Sequence, residues 1–181
     1  MKLDDAYYHL LLLKSGLDDS YDKWLDGYLE AEDPLSEIVL NLALCGSKVN
    51  ETISCLNAYC GWKPAVDERG ICDRLRNYLK DAYHSGRMSQ REVVNAMYRI
   101  ASAHGDPDDY YFDIWGDFYY LEDSLHLVEC GIISEEVFQD AFLLFLNDGI
   151  PLDGTIWERK PPRKGRFCNF LNSVMYFMNR K

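Results

Sequence analysis

Residues 86–93 read Gly86-Arg87-Met88-Ser89-Gln90-Arg91-Glu92-Val93, and this stretch ends one helix and starts the next. Gly86 supplies a typical helix stop. Ser89 and Glu92 have the spacing of a complete capping box, in which each side chain bonds a backbone amide that the first helical turn leaves free. Met88 and Val93 stand in the positions of a hydrophobic staple. A stop followed directly by a start predicts a helical hairpin centred on this stretch.

Helical periodicity extends in both directions from this turn. The preceding segment, residues 67–85, repeats its apolar residues on one face, and the following segment runs to His104 and stops at Gly105. Further amphipathic segments cover residues 4–14, 21–30, 33–45 and 49–60. In the third of these, Asp33 is predicted as the N-cap and Pro34 as the first helical residue. No segment alternates polar and apolar residues, so no sheet of consequence is expected.

The hairpin turn occurs a second time. Gly86-Arg87-Met88-Ser89 returns 45 residues later as Gly131-Ile132-Ile133-Ser134, and the apolar positions that follow match. Such a repeat is the unit of a short α-solenoid, although glycine stops and serine caps are common to all helical hairpins. Because a solenoid needs about three units, the sequence favours an all-α, single-domain irregular bundle of about seven or eight helices over residues 1–181. The duplicated hairpin stays open as an alternative.

The C-terminal part of the chain breaks the periodicity. Residues 153–166 hold Pro161 and Pro162 among basic residues and are predicted to form a basic, proline-rich loop. Beyond this loop, residues 167–179 carry Phe, Leu, Val and Met at helical spacing. This pattern predicts a last helix that docks onto the body of the domain.

The composition is that of a folded protein, with 181 residues, 48% hydrophobic residues and a net charge of −11. This charge argues against nucleic acid and anionic membranes as partners. The longest apolar run is far shorter than a bilayer span, and the N-terminus lacks the pattern of a signal peptide. A cytoplasmic protein is therefore expected.

Catalytic and metal-binding motifs are missing from the sequence. The six cysteines contain no Cys-x-x-Cys pair, and the four histidines have no partner at ligand spacing. Neither a zinc site nor a disulfide framework is therefore predicted. No nucleophile elbow, phosphate-binding loop or dinucleotide fingerprint occurs. No cofactor and no metal are expected, and the sequence favours a non-enzymatic protein, with an active site assembled from distant residues as the open alternative.

Charge is strongly segregated along the chain. Residues 100–158 hold fourteen Asp and Glu and no Lys or Arg, whereas residues 159–181 hold seven Lys or Arg and no acid. Within the acidic region, residues 108–130 are predicted to form a helix. Its core stripe is expected to be Ile114, Phe118, Leu121 and Leu125. Its opposite, exposed face is expected to be Asp109, Asp113, Asp117, Tyr120 and Ser124, with Asp123 at the edge.

The predicted binding site consists of the acidic and aromatic residues of this face: Asp109, Asp113, Asp117, Tyr120 and Asp123. Asp113 and Asp117 lie beyond the first predicted turn, where the helix dipole no longer favours acid. As a like-charged pair at four-residue spacing they cost about 0.2–0.5 kcal/mol. Tyrosine is typical of interface centres. A solvated surface, or a surface neutralised by the basic loop at 159–166, would explain the same pattern.

A surface of this kind predicts a basic protein partner, because segregated charge selects partners and speeds their encounter. The profile is similar in character to that of immunity proteins, which are small, acidic and motif-free and neutralise basic nuclease toxins. By that similarity, the carboxylates would occupy the phosphate-binding residues of a toxin domain and occlude its active site. The alternative is a helical-repeat adaptor or regulator that binds a peptide or a helix.

Overall fold

The computed structural model describes residues 1–17, 20–105 and 114–150. These ranges form eight α-helices and no strand, which confirms the predicted all-α bundle. The helices are α1 (Leu3–Lys14), α2 (Tyr21–Ala31), α3 (Glu37–Cys45), α4 (Val49–Cys60), α5 (Glu68–His84), α6 (Gln90–His104), α7 (Gly116–Glu129) and α8 (Glu135–Asp148). The predicted basic loop at 153–166 and last helix at 167–179 lie outside the described residues.

The first helix, α1, is the central element of the bundle. Every residue from Ala6 to Leu12 is buried, although the sequence predicted an amphipathic segment with one polar face. α1 packs against α4, α5 and α6, so it joins the N-terminal helices to the C-terminal ones. A helix that is buried on all sides belongs to the interior of a protein, and the other helices are arranged around it.

The last four helices close into a ring. α5 packs against α6, α6 against α7, α7 against α8, and α8 back against α5. In a solenoid, each hairpin would instead contact only its neighbours along one direction. The closed ring is the arrangement of a four-helix bundle. Its core is rich in large aromatic side chains: Trp115, Phe118, Phe138, Phe142 and Phe145.

The repeated hairpin turn has the same local geometry in both copies. Gly86 and Gly131 adopt φ angles of 73° and 69°, in the left-handed region that favours glycine. The Ser89 hydroxyl accepts a hydrogen bond from the Glu92 amide at 3.4 Å, and the Ser134 hydroxyl accepts one from the Val137 amide at 3.3 Å. In the first copy, the Glu92 carboxylate also accepts from the Ser89 amide at 2.7 Å. This confirms the predicted capping box.

The start of α3 differs from the prediction. The helix begins at Glu37 rather than after Asp33. The Glu32 carboxylate accepts hydrogen bonds from the Ser36 amide at 3.0 Å and from the Ser36 hydroxyl at 2.6 Å. The same carboxylate binds the N-terminal ammonium group of Met1 at 3.2 Å. These contacts hold residues 32–36 outside the helix, so the predicted N-cap at Asp33 is wrong.

The acidic helix also begins later than predicted. A helix was expected from residue 108, but Ile114 and Trp115 form a turn and α7 begins at Gly116. Residues 106–113 lie outside the described residues. Trp115 is fully buried, and its ring stacks on His104 with 4.4 Å between the ring centroids. This packing fixes the chain immediately before α7, and the helix starts from that fixed point.

The capping box predicts a difference between the two hairpin turns. Ser89→Ala should lower the free energy of unfolding by about 1 kcal/mol, because it removes the acceptor for the Glu92 amide. Ser134→Ala is the matched control and should cost less, since Val137 cannot return a side-chain bond. Urea unfolding followed by circular dichroism measures both values. An equal or larger loss for Ser134→Ala would contradict a contribution from the hydrogen bond that the Ser89 hydroxyl donates to the Glu92 carboxylate.

The same box predicts a dependence on pH. Hydrogen bonds from the Ser89 amide and hydroxyl hold the pKa of the Glu92 carboxyl below its ordinary value of 4.5. Such a carboxyl stabilises the fold above its unfolded pKa and loses this contribution as the pH falls through the folded pKa. The stability difference between wild type and Ser89→Ala should therefore shrink as the pH is lowered below 4.5. A constant difference across that range would show that the bond from the Ser89 hydroxyl to the Glu92 carboxylate does not contribute to the cap.

Candidate functional site

The last two described helices form a strongly acidic surface. Residues 114–150, which contain α7 and α8, carry eight carboxylates and no Lys or Arg. We call α7 and α8 together the acidic hairpin. Its acidic residues are Asp117, Glu122, Asp123, Glu129, Glu135, Glu136, Asp140 and Asp148. Most of them are exposed, with Asp117 and Glu122 half-buried.

The cations nearest to the hairpin on α5 are engaged at one end of α8. The Arg76 guanidinium donates to the Leu146 carbonyl at 3.0 Å, and the Lys80 ammonium donates to the Asn147 carbonyl at 2.9 Å. These are carbonyls of the last helical turn, which lack partners within the helix and form the negative end of the helix dipole. These two cations of α5 are therefore placed at the end of α8 and not along its acidic face.

One arginine reaches the hairpin from α6. Arg91 forms an ion pair with Glu129, and within the described residues it is the only Lys or Arg in an ion pair with a carboxylate of α7 or α8. Both side chains of this pair are largely exposed, so it contributes little to stability. Arg91 thus offsets the charge of Glu129 at the surface of the hairpin.

The residues predicted as the binding site do not share one exposed face. Asp117 and Tyr120 are half-buried, and Ser124 keeps 5% of its surface exposed. Asp123 is exposed. The prediction of a solvent face through Asp117, Tyr120 and Ser124 is therefore wrong in its orientation, because this side of α7 turns partly inward. Two further predicted residues, Asp109 and Asp113, lie outside the described residues.

The solvent-facing side of α7 is formed by a different set of side chains, namely Asp123, His126, Glu129 and the half-buried Glu122. Partial burial raises the pKa of the Asp123 carboxyl, and the neighbouring His126 lowers it in part.

A groove of about 520 Å³ runs between α6 and α7 beside this acidic side. Its walls are Met88, Glu92, Asn95, Tyr98, Arg99 and Glu122. Tyr98 leaves 43% of its surface exposed, and its ring meets the Tyr119 ring edge to face with 5.5 Å between centroids. Tyr98 was not among the residues predicted from the sequence. The available signal was an aromatic residue placed off the apolar stripe of α6.

One cluster on α7 has the outline of a catalytic triad. The Cys130 sulfur lies 3.8 Å from His126 Nε2, and His126 Nδ1 lies 3.7 Å from the Glu129 carboxylate. The two amides after the cysteine, those of Gly131 and Ile132, donate to carbonyls of α7 at 2.8 and 2.9 Å. They are thus not available to stabilise an oxyanion. The thiol also sits at a helix C-terminus, where the dipole disfavours a thiolate. The cluster does not support acyl transfer.

A buried polar contact sets the position of the acidic hairpin. The Tyr7 hydroxyl of α1 lies 2.9 Å from His104 Nδ1 at the end of α6. The His104 ring is also stacked on Trp115, immediately before α7. Burial, followed by the charges of Glu68 and Cys60, raises the pKa of Tyr7 to about 12. Tyr7 therefore stays neutral and acts as a fixed link between the central helix and the start of the hairpin.

Other chemistries find little support in the part of the chain that the structure describes. These residues hold no group of three side chains suited to bind a metal ion, and their cysteines are free thiols. None of the described helices has the length and apolar character needed to cross a bilayer. Comparison with protein-family models, with curated proteins and with solved structures gives no significant match to this chain.

The Tyr7 contact predicts a specific loss of stability. Tyr7→Phe removes the hydrogen bond to His104 and should lower the free energy of unfolding at neutral pH by about 1 kcal/mol. Tyr98→Phe, at the exposed groove, is the matched control and should leave stability nearly unchanged. Urea unfolding of the variants and the wild type measures both effects. If Tyr98→Phe lost about 1 kcal/mol of unfolding free energy while Tyr7→Phe lost none, the proposed link between Tyr7 and His104 would be contradicted.

Because the pKa of Tyr7 is raised, the stability of the fold should depend on pH in the alkaline range. A tyrosine whose folded pKa lies above its unfolded value stabilises the fold below the unfolded pKa and loses this contribution as the pH rises. For Tyr7 the loss extends from the ordinary pKa of 10.0 to about 12. In Tyr7→Phe the fall in stability over this range should be shallower than in wild type, whereas Tyr98→Phe should follow the wild-type curve.

Proposed function

We propose that this chain is a non-enzymatic protein-binding protein that captures a basic protein through the acidic hairpin and the adjoining α6–α7 groove. The observation that carries the proposal is the hairpin itself. It holds eight carboxylates and no Lys or Arg, and the nearby cations Arg76 and Lys80 bind the carbonyls at the end of α8.

In this proposal, the carboxylates of the acidic hairpin attract the partner, and the α6–α7 groove anchors it. The clustered carboxylates speed the encounter with a basic partner and reject acidic ones. Tyr98, at the groove, supplies a stiff aromatic surface, and Arg99 and Glu122 line the same groove with opposite charges. Tyrosine and arginine are typical of the centres of protein interfaces, where a few residues carry most of the binding energy.

Inhibition of a basic nuclease-like toxin is the form of partner capture that this surface supports best. The active site of such an enzyme binds phosphates with Lys and Arg, and a row of carboxylates on a rigid helix pair competes for the same groups. The chain would then act as an immunity-type protein that blocks substrate access. A helical adaptor is the second candidate, because the α6–α7 groove of about 520 Å³ could hold a peptide or a helix.

The charge of the hairpin is tested by the double change Glu122→Lys with Asp123→Lys. Partner affinity should fall by about a hundredfold or more, which corresponds to about 2.7 kcal/mol. The partner is first identified by affinity capture from the native host with wild-type protein, and affinity is then measured by titration calorimetry. Asp117 is unsuitable for this test, since it lies in the first turn of α7, where its charge also complements the helix dipole.

The matched control is Asp26→Lys with Glu30→Lys, two exposed acids of α2 that give the same change in net charge. This variant should bind within about threefold of wild type, because distant charges are screened over about 8–10 Å at physiological salt. Equal losses of affinity in both variants would show that the net charge of the chain, and not the position of these carboxylates, determines binding. Unchanged affinity in the hairpin variant would exclude the hairpin as the binding site.

The groove is tested separately with Tyr98→Ala. If Tyr98 is an anchor, this change should weaken binding by about 2 kcal/mol or more while leaving the salt dependence of association unchanged. A peptide fragment of the partner that keeps full affinity would favour the adaptor. Binding that requires the folded, basic partner domain would favour the inhibitor. No effect of Tyr98→Ala would show that the groove takes no part in recognition.

A further inference from the structure

The α6–α7 groove lies along a seam that is bridged at both ends. At one end, Arg91 of α6 forms an ion pair with Glu129 of α7. At the other end, the rings of Tyr98 and Tyr119 meet edge to face with 5.5 Å between their centroids. These two contacts hold the helices together on either side of the groove, which has a volume of about 520 Å³. The middle of the seam is open to a side chain from another molecule.

Glu122 of α7 stands at the open middle of the seam, and Asn95 of α6 lines the same groove. Glu122 is half-buried, and in the part of the chain that the structure describes it has no hydrogen-bond or ion-pair partner. The other carboxylate of the groove, Glu92, is already engaged, because it accepts hydrogen bonds from the Ser89 amide and hydroxyl, both at 2.7 Å. Glu122 therefore keeps both of its oxygens for a donor that enters the groove.

One wall of the groove is aromatic and apolar. Tyr98 leaves 43% of its surface exposed, and its contact with Tyr119, at an angle of 88° between the ring planes, restricts the ring. Met88 adds a half-buried apolar side chain to the lining. A tyrosine ring attracts a cation to its face, and an apolar wall suits the methylene stem of a long cationic side chain.

From the carboxylate, the ring and the amide around one groove, we propose that the α6–α7 groove binds an arginine side chain of the basic partner. The guanidinium donates two parallel hydrogen bonds to Glu122, donates a third to the side-chain carbonyl of Asn95, and stacks on Tyr98. A lysine ammonium is a compact, strongly hydrated charge that cannot make these planar contacts. The inference rests on the proposed function, since it names the residue by which the captured partner is recognised.

Arg99 limits the groove to one arginine. The groove contains two carboxylates, Glu92 and Glu122, and one cation, Arg99, which leaves one negative charge without compensation. One arriving guanidinium neutralises that charge, and a second is repelled by Arg99. The groove therefore selects a single arginine, whereas the exposed carboxylates of the hairpin attract the rest of the basic surface.

Titration of the full, isotope-labelled chain with N-acetyl-arginine amide and with N-acetyl-lysine amide, followed by NMR, tests the groove without the partner. Both probes carry one positive charge, so the comparison isolates the form of the cation. The arginine probe should shift the signals of Asn95, Tyr98 and Glu122. It should bind about threefold or more tighter than the lysine probe. Equal affinity of the two probes, or shifts confined to other helices, would overturn the proposal.

Three variants locate the contacts of the guanidinium. Glu122→Gln keeps the shape of the side chain and should weaken binding of the arginine probe by about tenfold. Glu136→Gln is the matched control, because it removes the same charge from an exposed position of α8 outside the groove, and it should bind as the wild type does. Tyr98→Leu should reduce the preference for arginine over lysine, since it removes the ring. Circular dichroism confirms that each variant is folded.

Two results with these variants contradict the arginine site. One is an equal loss of affinity in Glu122→Gln and Glu136→Gln, and the other is an unchanged preference for arginine in Tyr98→Leu. The probes also separate this inference from the proposed function. A wild type that captures a basic partner but does not bind the arginine probe overturns the arginine site alone. A wild type that binds the arginine probe but captures no basic protein overturns the proposed function and leaves the arginine site in place.

Discussion

Burial of α1 on all sides is the constraint on which the rest of the structure depends. Leu10, Leu11 and Leu12 are each at most 1% exposed, and burying a leucine side chain contributes roughly 1.5–3 kcal/mol. A helix buried in this way needs neighbours on every side, and α4, α5 and α6 supply them. The contact of Tyr7 with His104 then fixes where α6 ends and α7 begins. The position of the acidic surface follows from the packing of the central helix.

The acidic charge, in contrast, is not required by the fold. The contacts that place the hairpin include aromatic packing, as in the ring of Phe118 that meets Phe145 at 5.8 Å, and hydrogen bonds from Arg76 and Lys80 to backbone carbonyls of α8. Eight carboxylates on two adjacent helices repel one another and lower stability. Because the core does not depend on these carboxylates, the fold tolerates the repulsion between them. The exposed carboxylates that are neither in the first turn of α7 or α8 nor paired with Arg91 are the basis of the proposed function.

Helix caps and stops could be predicted from the sequence, whereas the side of a helix that faces solvent could not. The Ser89–Glu92 box and the span of α4 were predicted correctly because caps and glycine stops act within a few residues. The start of α3 was missed because the competing bonds come from Glu32 and from the chain terminus. The side of α7 that faces solvent was misjudged because Ser124 was placed by its polarity, whereas the neighbouring helices decide its burial.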